Sequence, residues 1–430
     1  MFDYQLAGVE KRLRRLYQRG VLYNKKIYIF GVSENTRQII QILRSYRLEP
    51  INVIDNDKKK QDSYCSEIRV ISADKVDEID SVKNLYILYS GYWREMAAQL
   101  RNHGVKKENI LTLYKKETLG ECLIQAYRGK RIYEKLINKY GNVPVFVCPY
   151  TGTGDIYLIG TFWKQYMEKD KLEDYVFLVL SKACEKVAKL FEIKNLEVFQ
   201  RKAESQYLIR YYMMCREKVN IKLLNDSWAQ IHTNPLEWFR GYKGLEFTEL
   251  FRRFVFELPA TAKPEHPVYQ DAGRELEALF QEYGLKEGNT VVLSPYSNTL
   301  ADLPKEFWIH LAKELKGKGF RVCTNSSGNS EPGIAGTIPV FFPLNIAPQW
   351  IERAGYFVGV RSGFCDVVSG TRAKKVVLYS SQDRFFNGSA FEYFNLKDME
   401  LSGDTAEILF DRNDYDGLTK KVMEGLGIMP

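Results

Sequence analysis

The 430-residue sequence contains no continuous apolar run long enough to span a bilayer. Its first residues, Met1-Phe-Asp-Tyr-Gln, lack the apolar stretch and small-residue cleavage site of a secretory leader. Both absences lead to the expectation of a cytoplasmic protein. The seven cysteines, at positions 65, 122, 148, 184, 215, 323 and 365, form no Cys-x-x-Cys pair and do not cluster with histidine, so reduced thiols without a zinc site are expected. Histidine is scarce: His103, His232, His266 and His310 stand far apart and show none of the short spacings of a metal site. An excess of acid is also missing. The net charge of +8 suits an anionic ligand or surface, but there is no zinc-finger pattern and no RNA-binding signature, which argues against nucleic acid as the partner.

What is present is a repeated alternation of short buried-strand runs with helical patterns. Near the start, apolar residues at 6, 9, 13 and 16 fall at helical spacing, with Lys11, Arg12, Arg14, Arg15 and Arg19 around them. Such a helix either packs on its own domain with a solvated face or lies on an anionic membrane. Strand runs at 26–31, 51–54, 85–89 and 109–113 then give a small Rossmann-like sheet over residues 1–118. Asp55 closes the second strand, where dinucleotide folds hold a ribose hydroxyl. Gly31 is followed by Ser33 and Thr36 rather than by further glycines, which argues against a bound dinucleotide; no cofactor is expected. Asp55-Asn56-Asp57 also spells D-x-D, read as a solvated turn among Lys58, Lys59 and Lys60 rather than a metal site.

A second unit, residues 119–285, opens with the strand Val143 to Cys148 and the turn Thr151-Gly152-Thr153-Gly154-Asp155, followed by Leu158, Ile159, Phe162 and Tyr166 at helical spacing. Asp155 is either an N-cap or a carboxylate at the mouth of a sheet. Trp228 and His232 lie in an aromatic stretch that either stacks a sugar or packs under a loop. After the break Ala262-Lys-Pro-Glu-His-Pro267, a third unit over 286–430 carries strands at 290–294, 320–324, 339–342, 356–360 and 375–379. The run Val360-Arg361-Ser362-Gly363-Phe-Cys-Asp366 takes an apolar strand into a small-residue turn. That junction points backbone N–H groups at one spot and adds the fork-shaped donors of Arg361, a trap for phosphate. The fold class is therefore α/β, with three Rossmann-like doubly wound units.

The order and spacing of Gly152-Thr-Gly-Asp155, of Leu293-Ser294-Pro-Tyr-Ser-Asn298 before Leu303-Pro-Lys305-Glu-Phe-Trp308, of Cys323-Thr-Asn325, and of Ser362-Gly363 before a helix resemble the ADP-heptose:lipopolysaccharide heptosyltransferases over about residues 140–430. The first 118 residues resemble the nucleotide-binding-like accessory domain of bacterial surface-polysaccharide enzymes. The resemblance implies that the last two units form a GT-B pair. It makes Asp155 the catalytic base and Lys305 a pyrophosphate contact, and has the late turn receive the diphosphate. At that turn the family carries an acid where Arg361 stands and a histidine where Asp366 stands.

The expected activity is inverting, metal-independent transfer of a sugar from a nucleotide-diphosphate donor to a glycan or lipid-linked glycan acceptor in capsule or lipopolysaccharide synthesis. The expected site places Asp155 as base and Arg361, Ser362, Gly363 and Lys305 on the diphosphate. Ser294, Asn325, Glu331 and Asp366 fall to the donor nucleotide, and Gly152, Thr153, Gly154, Trp228 and His232 to the acceptor. Two rivals remain open: a non-catalytic nucleotide- or glycan-binding subunit, and an alditol-phosphate transferase. Peripheral contact with the inner face of a membrane is open as well.

Overall fold

The computed structural model describes residues 2–76, 78–113, 119–215, 218–225, 247–269, 273–297, 300, 303–328, 330–380 and 390–428. It forms two compact units, Met1–Tyr127 and Arg128–Pro430.

In the first unit, helix α1 (Phe2–Gln18) buries Val9 and Leu13 while Lys11, Arg12, Arg14, Arg15 and Arg19 are exposed. Strand β1 (Lys26–Phe30) is buried after its first residue, the near-continuous apolar pattern of a parallel strand covered on both faces. Helix α2 (Glu34–Ser45) starts where Ser33 and Thr36 exchange bonds: the Thr36 amide donates to Ser33 Oγ (3.3 Å) and the Ser33 amide to Thr36 Oγ1 (3.1 Å). A capping box of this kind satisfies two otherwise orphaned N–H groups, and losing such a cap costs about 1 kcal/mol. Strands β2 (Asn52–Ile54), β3 (Tyr64–Cys65), β4 (Ile68–Ile71), β5 (Asn84–Leu88) and β6 (Ile110–Thr112) complete a sheet ordered β3-β4-β2-β1-β5-β6. All its pairs are parallel except the hairpin β3–β4. The parallel strand β4 is additional to the expected ones, because Ile68-Arg-Val-Ile71 is short and interrupted by a charge. Helix α3 (Trp93–Asn102) follows β5.

Helix α4 (Leu119–Tyr140) crosses the division between the units. The second unit has two parallel sheets. The first consists of β7 (Val145–Val147), β8 (Val176–Val179), β9 (Leu196–Val198) and β10 (Ile221–Leu223), in the order β10-β7-β8-β9. Helices α5 (Thr153–Asp170), α6 (Lys182–Leu190) and α7 (Lys202–Cys215) alternate with its strands. The second sheet contains β11 (Thr290–Ser294), β12 (Arg321–Asn325), β13 (Ile338–Val340), β14 (Gly355–Val360), β15 (Lys374–Tyr379) and β16 (Ala406–Leu409), ordered β13-β12-β11-β14-β15-β16. Numbered by chain position, that order is 3-2-1-4-5-6, the doubly wound order in which the strand sequence reverses between the first and fourth strands. The reversal lies between β11 and β14 here, and between β7 and β10 in the smaller sheet. Ligands of such sheets bind outside the strand carboxyl ends at that reversal, and both chemistry-bearing turns sit there.

Helix α5 is packed on almost every side. Ile156, Tyr157, Leu158, Ile159, Phe162, Trp163 and Tyr166 are all buried, and a Cβ at Gly160 would come within 2.2 Å of the Phe191 ring. Phe146 on β7 meets Trp163 edge to face, with centroids 5.0 Å apart and an interplanar angle of 89°. Each such buried side chain contributes roughly 1.5–3 kcal/mol. A helix apolar all round is one that the fold encloses, so the start of α5 is held rigidly.

Candidate functional site at two facing turns

After β7 the chain runs Cys148-Pro-Tyr-Thr151 and enters α5 through Gly152, an extended N-cap that has no side chain to cap with. Asp155 occupies the first turn. Its carboxylate folds back over that turn, so that a Cβ at Gly152 would lie 2.4 Å from Asp155 Oδ2. Facing it, β14 ends at Val360, and Arg361 and Ser362 lead into the short helix Gly363–Val367. The two helix starts touch backbone to backbone: a Cβ at Gly363 would lie 2.6 Å from the Gly154 nitrogen and 2.7 Å from Thr153 Oγ1. A Cβ at Gly154 would lie 2.3 Å from Asp366 Oδ2. A side chain at Gly152 would displace the Asp155 carboxylate, and one at Gly154 would press on both Asp366 and the Gly363 backbone (3.0 Å to its Cα).

Arg361 is directed inward. Its Nη2 donates to Asp366 Oδ1 (2.7 Å) and its Nη1 to Asp366 Oδ2 (3.0 Å), a buried bidentate pair. The Nε–H donates to the Phe394 carbonyl (2.6 Å), Nη1 also to the Ser362 carbonyl (2.6 Å), and Nη2 approaches Met399 Sδ (3.5 Å). A guanidinium has five N–H donors, and all five are engaged. This corrects the expectation of a fork open to diphosphate: the long-range carbonyl of Phe394 and the neighbouring Asp366 draw the side chain into the core. Asp366 is likewise an ion-pair partner, with both of its oxygens accepting from Arg361.

Burial and the neighbouring Asp366 push the Asp155 carboxyl up to about 7, against smaller opposing effects from its own backbone amide and from Arg361. Burial pushes the Asp366 carboxyl up too, while the Arg361 guanidinium pulls it down and itself stays charged. Two cysteines that sequence reasoning did not connect with the site stand nearby. Cys184 Sγ contacts the Thr151 carbonyl (3.6 Å), and burial pushes both it and Cys148 up, so both remain thiols at neutral pH.

Ser362 is the N-cap of its short helix but makes no capping bond; its hydroxyl lies 4.0 Å from Cys365 Sγ. Ser294 is buried at the carboxyl end of β11, in register with Gly359 of β14, and so lies at the strand-order reversal. Asn325 closes β12, one strand away, and Glu331 accepts a bond from Ser327 Oγ (2.8 Å) in the loop beyond it. Lys305 opens the helix Lys305–Gly317, exposed and without a side-chain partner among the described residues. Among those residues, Lys305, Asn325 and Glu331 make no bond to the 361–366 turn. Trp228 and His232 lie outside the described residues.

A second polar group joins the two sheets of this unit. The Tyr157 hydroxyl lies 3.0 Å from His266 Nδ1, and the His266 ring lies against Gly370, whose Cβ would be 2.6 Å from it. Thr248 Oγ1 donates to the Met399 carbonyl (2.9 Å), and Glu400 pairs with Arg252 and Lys263. The only sequence signal for this seam is the break Ala262–Pro267, which carries His266 itself.

In the first unit, Asp55 Oδ2 accepts from the Val32 amide (2.7 Å) and Oδ1 from the Asp57 amide (2.8 Å). Lys60 Nζ stands 3.5 Å from Asp55 Oδ2. The acid that ends β2 thus ties down its own loops. Asp57 Oδ1 accepts from the Lys59 amide (3.0 Å), a self-closed turn.

No helix among the described residues is long and apolar enough to cross a membrane. The family model described as "C2185-like, N-terminal" matches residues 23–111, within the first unit. No curated protein matches the chain. Among solved structures, the chain is similar to the ADP-heptose lipopolysaccharide heptosyltransferase II of E. coli, at 14% identity and a TM-score of 0.45, covering 66% of this chain and 98% of that one. It is similar to a family 9 glycosyl transferase of Veillonella parvula at 14% identity and a TM-score of 0.45, covering 66% and 97%. The E. coli heptosyltransferase WaaC with ADP aligns at 12% identity and a TM-score of 0.41, over 66% and 100%. None of these values sets a function, which has to come from the chain's own residues.

Proposed function

We propose that the chain is a glycosyltransferase whose second unit works as a GT-B pair, moving a sugar from a nucleoside-diphosphate donor to a hydroxyl of a bacterial surface glycan with inversion at the sugar carbon. The observation that carries this reading is Asp155, half-buried in the first turn of α5 at a strand-order reversal, with the enclosed part of the helix directly behind it, and pushed up to about 7. A general base works best when its proton affinity lies near the working pH. As the acceptor oxygen bonds to the sugar carbon, its proton passes to Asp155, and the bond from that carbon to the donor phosphate breaks with its electron pair leaving on the diphosphate. Lys305 and the amides around Ser362 and Gly363 are the groups proposed to stabilise that developing charge, in place of Arg361. Ser294, Asn325 and Glu331 would hold the nucleoside. The proposed place of work is the cytoplasmic face of the membrane, supported by the exposed basic side chains of α1.

One observation favours a second reading, a binding subunit without turnover: Arg361 is closed on Asp366 and the two glycine turns touch. A thermal-shift panel of ADP-, GDP-, UDP- and CDP-linked sugars tests both readings, since a ligand that binds only the folded state raises its melting point. The transferase reading expects one nucleotide class to raise Tm, with the shift reduced in Lys305→Ala and turnover detectable with the same donor. A shift without turnover supports the binding subunit, and no shift with any donor contradicts both.

A further inference from the structure

The glycine turn Gly152-Thr153-Gly154 looks like a seat for phosphate, yet each glycine gives way to a carboxylate of the protein: Gly152 to Asp155 and Gly154 to Asp366. The two acids come from different sheets and are brought together because the start of α5 packs on the start of the helix Gly363–Val367. Asp366 cannot turn away from α5. Both its oxygens are held by Arg361, and Arg361 is held by the Phe394 and Ser362 carbonyls.

We propose that Asp366, clamped by Arg361, is a positioning residue that acts on Asp155 through space and sets the pH at which Asp155 can accept a proton. Like charges close together in a water-poor site cannot both ionise freely, so the fixed carboxylate holds the proton on its neighbour. Arg361 pairs with Asp366 and neutralises part of its charge, and it also draws the Asp155 carboxyl down, so the effect of Asp366 is moderated. The other titratable groups facing Asp155 do not compete with it: Cys148 at the end of β7 and Cys184 on α6 both stay neutral thiols. Tyr157, on the same helix, stays a neutral phenol engaged with His266. Arg252, from the helical segment Leu250–Val255 packed on α5, lies over the Phe162 ring, 5.5 Å from its centroid and two turns further along. The inference rests on the reading of Asp155 as the proton acceptor and says how that acceptor is tuned.

The test is an infrared titration of the ligand-free full-length protein, following the protonated-carboxyl band that Asp155→Asn removes. The wild-type midpoint is expected near neutrality. In Asp366→Asn it falls by about one pH unit, a tenfold loss of proton affinity. Because that variant leaves Arg361 buried and unpaired, a second variant, Arg361→Met with Asp366→Leu, removes the pair together; there the midpoint falls by less, since a repelling and an attracting charge leave at once. A group with a merely structural role would lower melting temperature without moving the midpoint. An unchanged midpoint in both variants overturns the proposal, as does the absence at neutral pH of any band lost with Asp155. No substrate enters the titration. If the midpoints move as stated but no nucleotide sugar is turned over, the transferase reading fails, and the tuning of Asp155 by Asp366 stands without a catalytic task.

Discussion

The first unit and the opening sheet of the second meet the same local problem, an acid beside a glycine turn where a doubly wound sheet reverses its strand order, and they solve it differently. Asp55 accepts two backbone amides and has Lys60 beside it, so the acid serves the loop. Asp155 sits over its own helix start with a second carboxylate in the facing turn, pushed up to about 7. Topology is shared; chemistry follows from what the carboxylate can bond. An acid satisfied by amides is architecture, whereas a half-buried acid set beside another acid has a proton to exchange.

Breaking the facing turn should have the largest effect on stability. Arg361→Ala leaves Asp366 buried without its partner and removes the bonds from Arg361 to the carbonyls of Phe394 and Ser362, and should cost about 3–5 kcal/mol in urea melts. Next comes the pH dependence of Asp155. The folded carboxyl keeps its proton to about 7, whereas an unfolded aspartate releases it near pH 4, so the native state loses stability as pH rises through that window. Asp155→Asn removes the loss, and its stability relative to wild type should grow by about 2–3 kcal/mol between pH 5 and pH 8. Asp55→Asn sharpens the contrast: it weakens two charge-assisted bonds to backbone, costs about 1.5 kcal/mol, and leaves sugar transfer unchanged in a turnover assay. Smallest is Lys305→Ala, which should alter stability by less than about 0.5 kcal/mol while weakening donor binding measured by calorimetry.

Much of this contrast was legible in the residues. The alternation of apolar runs with helical spacing placed most of the parallel strands, and Gly152-Thr-Gly-Asp155 marked the start of α5. The strand β4 was harder to see because Ile68-Arg-Val-Ile71 is short and carries a charge. The direction of Arg361 was not legible, because it is set by Phe394 and Met399, more than thirty positions away, as much as by Asp366. The same holds for Asp55, whose bond to Val32 forms only when β1 and β2 pair side by side. The role of the two glycines in seating carboxylates, rather than phosphate, depends on a contact between segments some two hundred residues apart.

The central claim is that Asp155 takes the acceptor proton, and release of nucleoside diphosphate tests it most directly. The assay would use the donor sugar that gives the largest thermal shift, with a bacterial surface-polysaccharide extract as acceptor. Asp155→Asn should slow release by about 10²–10⁴-fold while donor affinity stays within error of wild type. Equal rates for the two proteins would contradict the assignment and leave Asp155 as a half-buried acid without a catalytic task.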